Sequence, residues 1–139
     1  MRCHNFTMFL IVLMFSLNVA TADTIRVPQD QPTIQDGINA ASNGDMVLAA
    51  DDTYYENISF MGKAITVASH FIVDGDTNHI NNTIIDGSRP THPDSGSTVY
   101  FLSAEDTNSV LTGLTITGGK GTYMRDEIYN DKNGGGIFI

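Results

Sequence analysis

The chain has 139 residues, with 7 Lys and Arg against 16 Asp and Glu, and a net charge of −9. That length suits one domain, and such an acidic chain repels phosphate backbones, which argues against nucleic acid as a partner. The single cysteine, Cys3, excludes a disulfide framework and, once an N-terminal leader is removed, a thiol nucleophile.

The chain starts with Arg2 and His4, then an apolar run from Phe6 to Leu17, then Ala20-Thr21-Ala22. A basic start, a short apolar stretch and a small-x-small cleavage site predict a secretory signal peptide over residues 1–22. A membrane anchor is the competing reading. The apolar run falls short of the roughly 20 residues needed to span a bilayer, and polar residues follow at once. Cys3 leaves with the signal, and all Asp and Glu lie beyond it, so the exported chain is more acidic still. Localisation is then secreted or cell surface, with no integral membrane segment after cleavage.

Residues 23–139 read as one β-rich unit. Thr24 to Val27 alternates as a first strand, and Pro28 stops it. Ile34, Ile38 and Ala41 share one helical face, with Pro32 in the first turn, Thr33 or Gln31 as cap, and Asn43-Gly44 as terminator. Strands are predicted at Met46 to Ala50, Tyr54 to Phe60, Ala64 to Ala68, Phe71 to Val73, Thr83 to Ile85 and Thr98 to Leu102. Further strands fall at Val110 to Thr117, with a corner at Gly113, and at Ile137 to Ile139. Asp51-Asp52-Thr53, Met61-Gly62-Lys63, Asp74 to Asn78, Asp86-Gly87 and Glu105 to Ser109 are turns. Ser88 to Ser97 and Lys120 to Lys132 read as side loops.

Short strands broken by Gly, Asp and Asn fit a sandwich, a barrel or a solenoid. The run Thr33-Ile34-Gln35, Ile38, Ala40-Ala41, Asn43-Gly44-Asp45-Met46-Val47, then Thr53-Tyr54-Tyr55-Glu56-Asn57-Ile58 and Gly62-Lys63-Ala64-Ile65-Thr66-Val67 resembles the start of a right-handed parallel β-helix of the pectin lyase-like superfamily. Gly37 stands where alanine is usual, and Asp51-Asp52 where Pro-Gly is usual. "TIIDG", "LTGLTITGG" and "GGGIFI" look like successive rung pieces of the same fold. The resemblance implies an all-β, right-handed parallel β-helix (a solenoid) with a short N-terminal capping α-helix over the open first rung. It also implies that residues 23–139 are the cap and first rungs of a longer protein, truncated at Ile139.

Several residues are candidates for chemistry. Asp74, Asp76 and Asn78 have the D-x-D-x-N spacing of a calcium loop, although His79 and Ile85 stand where an EF-hand needs Gly and Glu. The same residues read more readily as a turn whose side chains bond their own backbone. The carboxylate pairs Asp51/Asp52, Asp74/Asp76, Glu105/Asp106 and Asp126/Glu127 are candidates for glycosidic cleavage. Adjacent residues on a strand face opposite ways, so contiguous pairs make poor dyads. Arg89 and Arg125 lie in the side loops. His70, His79 and His92 have no zinc-site spacing. The opening stretch also resembles pectin methylesterases, whose catalytic residues lie further along their chains, so no catalytic residue carries over. Asn57-Ile58-Ser59 and Asn81-Asn82-Thr83 are glycosylation sequons. Tyr54, Tyr55, Tyr100, Phe101, Tyr123 and Tyr129 either stack on sugar rings or pack in the core.

The resulting expectation is a secreted, carbohydrate-associated solenoid that binds polysaccharide or forms part of a lyase, hydrolase or esterase. Calcium is the cofactor candidate. The alternatives are a non-enzymatic structural or adhesive cell-surface solenoid, and an exported solenoid of unrelated role. Fold alone does not choose among them, and oligomeric state stays open.

Overall fold

The computed structural model describes residues 21–125 and 130–139. Residues 1–20 of the predicted signal peptide, together with the Asp126/Glu127 pair and Tyr129, lie outside the described residues. The chain is mostly strand with few helices. Its elements are β1 (Thr24–Val27), α1 (Ile34–Ala40), β2 (Met46–Ala49), β3 (Asp52–Tyr54), β4 (Ile58–Ser59), β5 (Thr66–Ser69), α2 (Phe71–Asp74), α3 (Asn78–Asn82) and β6 (Thr83–Asp86). There follow β7 (Ser95–Gly96), β8 (Val99–Tyr100), β9 (Val110–Thr112), β10 (Thr115–Thr117), β11 (Gly121–Arg125), β12 (Asn130–Asn133) and β13 (Ile137–Phe138).

The strands sort into three short parallel sheets, ordered β1-β2-β5-β9, β3-β6-β10 and β4-β8-β13, and one antiparallel sheet, β7-β11-β12. The chain visits the parallel sheets in the same sequence on each of three passes. Registers therefore stack like residues upon like. Ile25, Val47, Val67 and Leu111 form one column. Tyr54, Ile85 and Ile116 form a second, and Ile58, Val99 and Ile137 a third. The three columns converge on one core with Phe60 and Ile65. Burial is complete in the first two passes and partial in the third, where Leu111, Leu114 and Ile116 are half-buried and Ile137 is exposed.

Helix α1 closes the other end. Ile34 and Ile38 are fully buried, Ala41 nearly so, and the helix packs against β1, β2 and β4. Side chains from the turns pin it. Thr33 is the N-cap, its Oγ1 accepting the Asp36 N–H at 3.0 Å. Glu56 accepts the Ile34 and Gln35 N–H groups at 3.0 and 2.9 Å, supplying a carboxylate at the helix N-terminus. Lys63 Nζ donates to the carbonyls of Ile38, Asn39 and Ala41 at 2.7–2.8 Å and caps the other terminus. The Gln35 amide accepts from Ser59 N and donates to Ser59 O, at 2.8 and 3.2 Å. It thereby satisfies the outward backbone groups of edge strand β4, as a neighbouring strand would.

Five expectations need correction. The predicted turn Asp51-Asp52-Thr53 is not a turn beyond Asp51: Asp52 and Thr53 pair with Thr83 and Ile84 of β6 and so belong to β3. Helix α1 ends at Ala40, with extended Ala41 as C-cap; Gly44 is left-handed but belongs to the turn into β2. The predicted strand Tyr54 to Phe60 is broken between Tyr54 and Ile58, because Glu56 turns to α1 and Asn57 reaches to the carbonyls of Gly87 and Ser97. Phe71 to Val73 is helical: Ile72 and Val73 face solvent, so no sheet face holds them, and left-handed Gly75 closes the turn onto Phe71 O. Within the predicted side loop Lys120 to Lys132, β11 and β12 pair antiparallel, and β7 joins β11.

Candidate functional site

Alternation along the β3–β4 turn sends Tyr54 inward and Tyr55 outward. Tyr54 is buried, its hydroxyl donates to Ala50 O at 2.9 Å, and burial pushes its pKa up to about 12. Tyr55 is 48 % exposed, and the Arg89 guanidinium lies over its ring, Cζ 3.7 Å from the centroid. That distance is well inside cation–π range. Beside the pair is a cleft of about 240 Å³ lined by Thr33, Gln35, Tyr55, Glu56, Asn57, Arg89 and Thr91. Most of its polar wall is already committed. Glu56 uses both oxygens on helix N–H groups, Gln35 is paired with Ser59, and Asn57 donates to Gly87 O and Ser97 O at 3.3 and 2.7 Å. A carboxylate so engaged is a poor proton donor or nucleophile. The cleft offers an aromatic surface and a guanidinium edge, a binding chemistry.

The sequence candidates disperse. Asp74 Oδ1 accepts the Asp76 N–H and Asp76 Oδ1 accepts the Asn78 N–H, each at 2.9 Å. These are turn bonds of the kind that Asp and Asn make locally. Among the described residues, no group of three or more His, Cys, Asp or Glu is arranged to hold a metal ion. Glu105 accepts the Gly62 and Ser103 N–H groups at 2.9 and 2.7 Å, while Asp106 accepts Asn108 N–H at 2.8 Å, so that pair serves two separate turns. Phe101 stacks on Phe60 in the core, and Tyr123 is partly exposed on β11. Asn57 of the first sequon is tied to the next pass, whereas Asn81 of the second is exposed.

One cluster was invisible in the sequence. His79 Nδ1 meets Asp51 Oδ1 at 2.6 Å, and its Nε2 meets Asp74 Oδ2 at 3.2 Å. Thr83 Oγ1 also donates to Asp51, and the His70 ring lies 5.7 Å from that of His79. The hydrogen bond to Asp51, then that to Asp74, raises the His79 pKa. The same bond from His79 lowers Asp51; Asp74 is lowered first by the Asp76 N–H and then by His79. A raised imidazole contributes stability below its ordinary pKa and loses it as pH rises through the higher folded value. Lowered carboxylates contribute above their ordinary range and lose it as pH falls. The clasp is therefore at full strength between about pH 4 and 6.5. The melting-temperature difference between the natural chain and His79→Gln is expected to be largest near pH 5.5 and to shrink steadily by pH 8.5. A difference that is flat across this range would show that the clasp does not hold.

Among the described residues, no helix is long and apolar enough to cross a membrane. Comparison with protein-family profiles, with curated proteins and with solved structures found no match to this chain.

Proposed function

We propose that residues 23–139 form successive turns of a right-handed parallel β-helix, exported after removal of residues 1–22, that binds polysaccharide at the Tyr55–Arg89 cleft. The exposed tyrosine under a guanidinium beside this cleft is the observation that carries the reading. A ring of this kind takes the apolar face of a sugar, and arginine takes a carboxylate or ring hydroxyls. Three passes through the same parallel sheets support the coil, and parallel crossovers are almost always right-handed. The resemblance of its opening stretch points the same way.

The test is affinity electrophoresis of the exported protein against acidic and neutral polysaccharides, with calcium or with EDTA. Retardation by at least one of these polysaccharides is expected, weakened about tenfold or more by Arg89→Ala and by Tyr55→Ala. The turn bonds occupy one oxygen each of Asp74 and Asp76, and the EDTA arm also reads the proposal of calcium at Asp74, Asp76 and Asn78. Retardation by none of the polymers would sink the carbohydrate reading. The second reading, a structural or adhesive cell-surface solenoid, is favoured by the antiparallel β7-β11-β12 sheet, which shares no strand with the parallel sheets.

A further inference from the structure

Asp45 is a nearly buried carboxylate, 8 % exposed, that serves no candidate site. It sits in the turn before β2. Its Oδ2 accepts the Ser42 N–H at 2.7 Å, and its Oδ1 accepts the Asp23 N–H at 2.9 Å. The Asp23 carbonyl in turn accepts the Met46 N–H at 2.8 Å, so Asp23 is held to the turn by both its backbone groups. Residue 23 is also the first residue after the Ala20-Thr21-Ala22 cleavage site. The nitrogen held by Asp45 is therefore the nitrogen that processing would free.

We propose that cleavage after Ala22 turns this hydrogen bond into an ion pair between the new Asp23 α-ammonium and the Asp45 carboxylate, which locks the first strand onto the stack. The proposal rests on the export reading above. In the cleavage, water adds across the Ala22–Asp23 peptide bond. Ala22 keeps the oxygen as a carboxylate, and the Asp23 nitrogen takes up protons to become an ammonium. The Asp45 oxygen is already in hydrogen-bond range of that nitrogen. A charge-assisted bond in a partly enclosed turn is roughly twice as strong as the neutral bond it replaces. The other charged groups acting on the pair are Lys63, whose field favours the Asp45 carboxylate, and the side-chain carboxylate of Asp23 itself. The Asp23 and Ser42 N–H groups, ahead of Lys63, hold Asp45 below the usual carboxylate range even before an ammonium forms.

The sign of the pH dependence follows. An ammonium held by a carboxylate has a raised pKa when folded. Its contribution is complete below the ordinary α-amine pKa and is lost as pH rises through the folded value.

The test begins with the full chain exported by a secretory host and N-terminal sequencing of the product. The first residue is expected to be Asp23. The melting temperature is then followed from pH 6 to 10 for this product, for its Asp45→Asn variant, and for a product engineered to retain Thr21-Ala22. The natural product is expected to lose on the order of 5 °C above about pH 8, beyond any loss in the other two. Two-dimensional NMR of the 15N-labelled product is expected to show the α-amine titrating above that of the Thr21-Ala22 form. Sequencing that begins at another residue would overturn the processing reading. A product beginning at Asp23 whose pH profile and α-amine titration match those of Asp45→Asn would overturn the ion pair while leaving the processing intact.

Discussion

Phe60→Ala is expected to lower the unfolding free energy by about 4 kcal/mol. Phe60 is fully buried just beyond β4, and its ring stacks on Phe101 with centroids 4.4 Å apart. Its backbone N–H donates to Tyr100 O at 3.2 Å, so the residue also joins the first pass to the second. Truncation removes a large apolar side chain and leaves a cavity between two passes that the stacked backbones cannot collapse to fill. Phe101 is only half-buried, so Phe101→Ala should cost clearly less. The double variant should cost less than the sum of the two, because the ring contact is lost only once. Urea denaturation followed by far-ultraviolet circular dichroism measures all three. A loss below about 1 kcal/mol for Phe60→Ala would mean that this ring does not sit where two passes meet.

Gly119→Ala is expected to cost at least about 4 kcal/mol or to prevent folding. The residue follows β10, where the chain leaves the stack for the antiparallel sheet. A Cβ at Gly119 would fall on the carbonyl oxygen of Gly135 and within 2.7 Å of Thr98 Oγ1. Both neighbours are tied into the backbone network: the Gly135 carbonyl accepts the Thr98 N–H at 3.3 Å. The Thr98 N–H bonds Gly136 O at 3.1 Å, Thr98 Oγ1 donates to Thr117 O at 2.9 Å, and the Lys120 N–H bonds Gly96 O at 2.6 Å. Gly44→Ala supplies the comparison. Gly44 is left-handed at φ +95°, but nothing lies within 4 Å of a Cβ there, so its cost is the backbone term alone. That is about 1–2 kcal/mol. Soluble yield and urea midpoints of the two variants separate crowding from conformational strain. Equal costs would place Gly119 away from the Gly135 backbone.

These two sites differ in how far sequence could reach them. Phe60 was legible as an apolar residue closing a strand-like run, but its ring partner lies 41 positions on and is set by the stacking of passes. The Gly118-Gly119 pair was legible as a break. Its necessity was not, because only the return of the chain through Gly135 puts a carbonyl against it. Much the same holds for the opening stretch. Thr33 as helix cap, the face of Ile34, Ile38 and Ala41, and the strands β2, β5 and β6 follow from local periodicity and capping chemistry. The roles of Gln35, Glu56 and Lys63 do not. Each acts across more than 20 residues on the helix or on the edge beside it.

The candidate cleft shows the same division. Tyr55 and Arg89 lie 34 positions apart, one an aromatic of the β3–β4 turn and the other a loop arginine, and no local pattern joins them. Asp74, Asp76 and Asn78 were adjacent in sequence and remain a local turn, with Asp74 also engaged by His79. Spacing captured what lies within a few residues and missed what stacking assembled.

The sequence by itself determined the acidic charge, the β-rich character, the N-terminal helix face and most of the turns. All are set by composition or by contacts within a turn or two of the chain. Only the tertiary structure decided that Phe71 to Val73 is helical, that Tyr55 lies beneath Arg89, that His79 bridges Asp51 and Asp74, and that Asp45 holds the Asp23 nitrogen. The physical reason is register. Parallel strands bring together residues 20 to 44 positions apart, and that offset depends on the length of every intervening turn and loop, which no local pattern encodes.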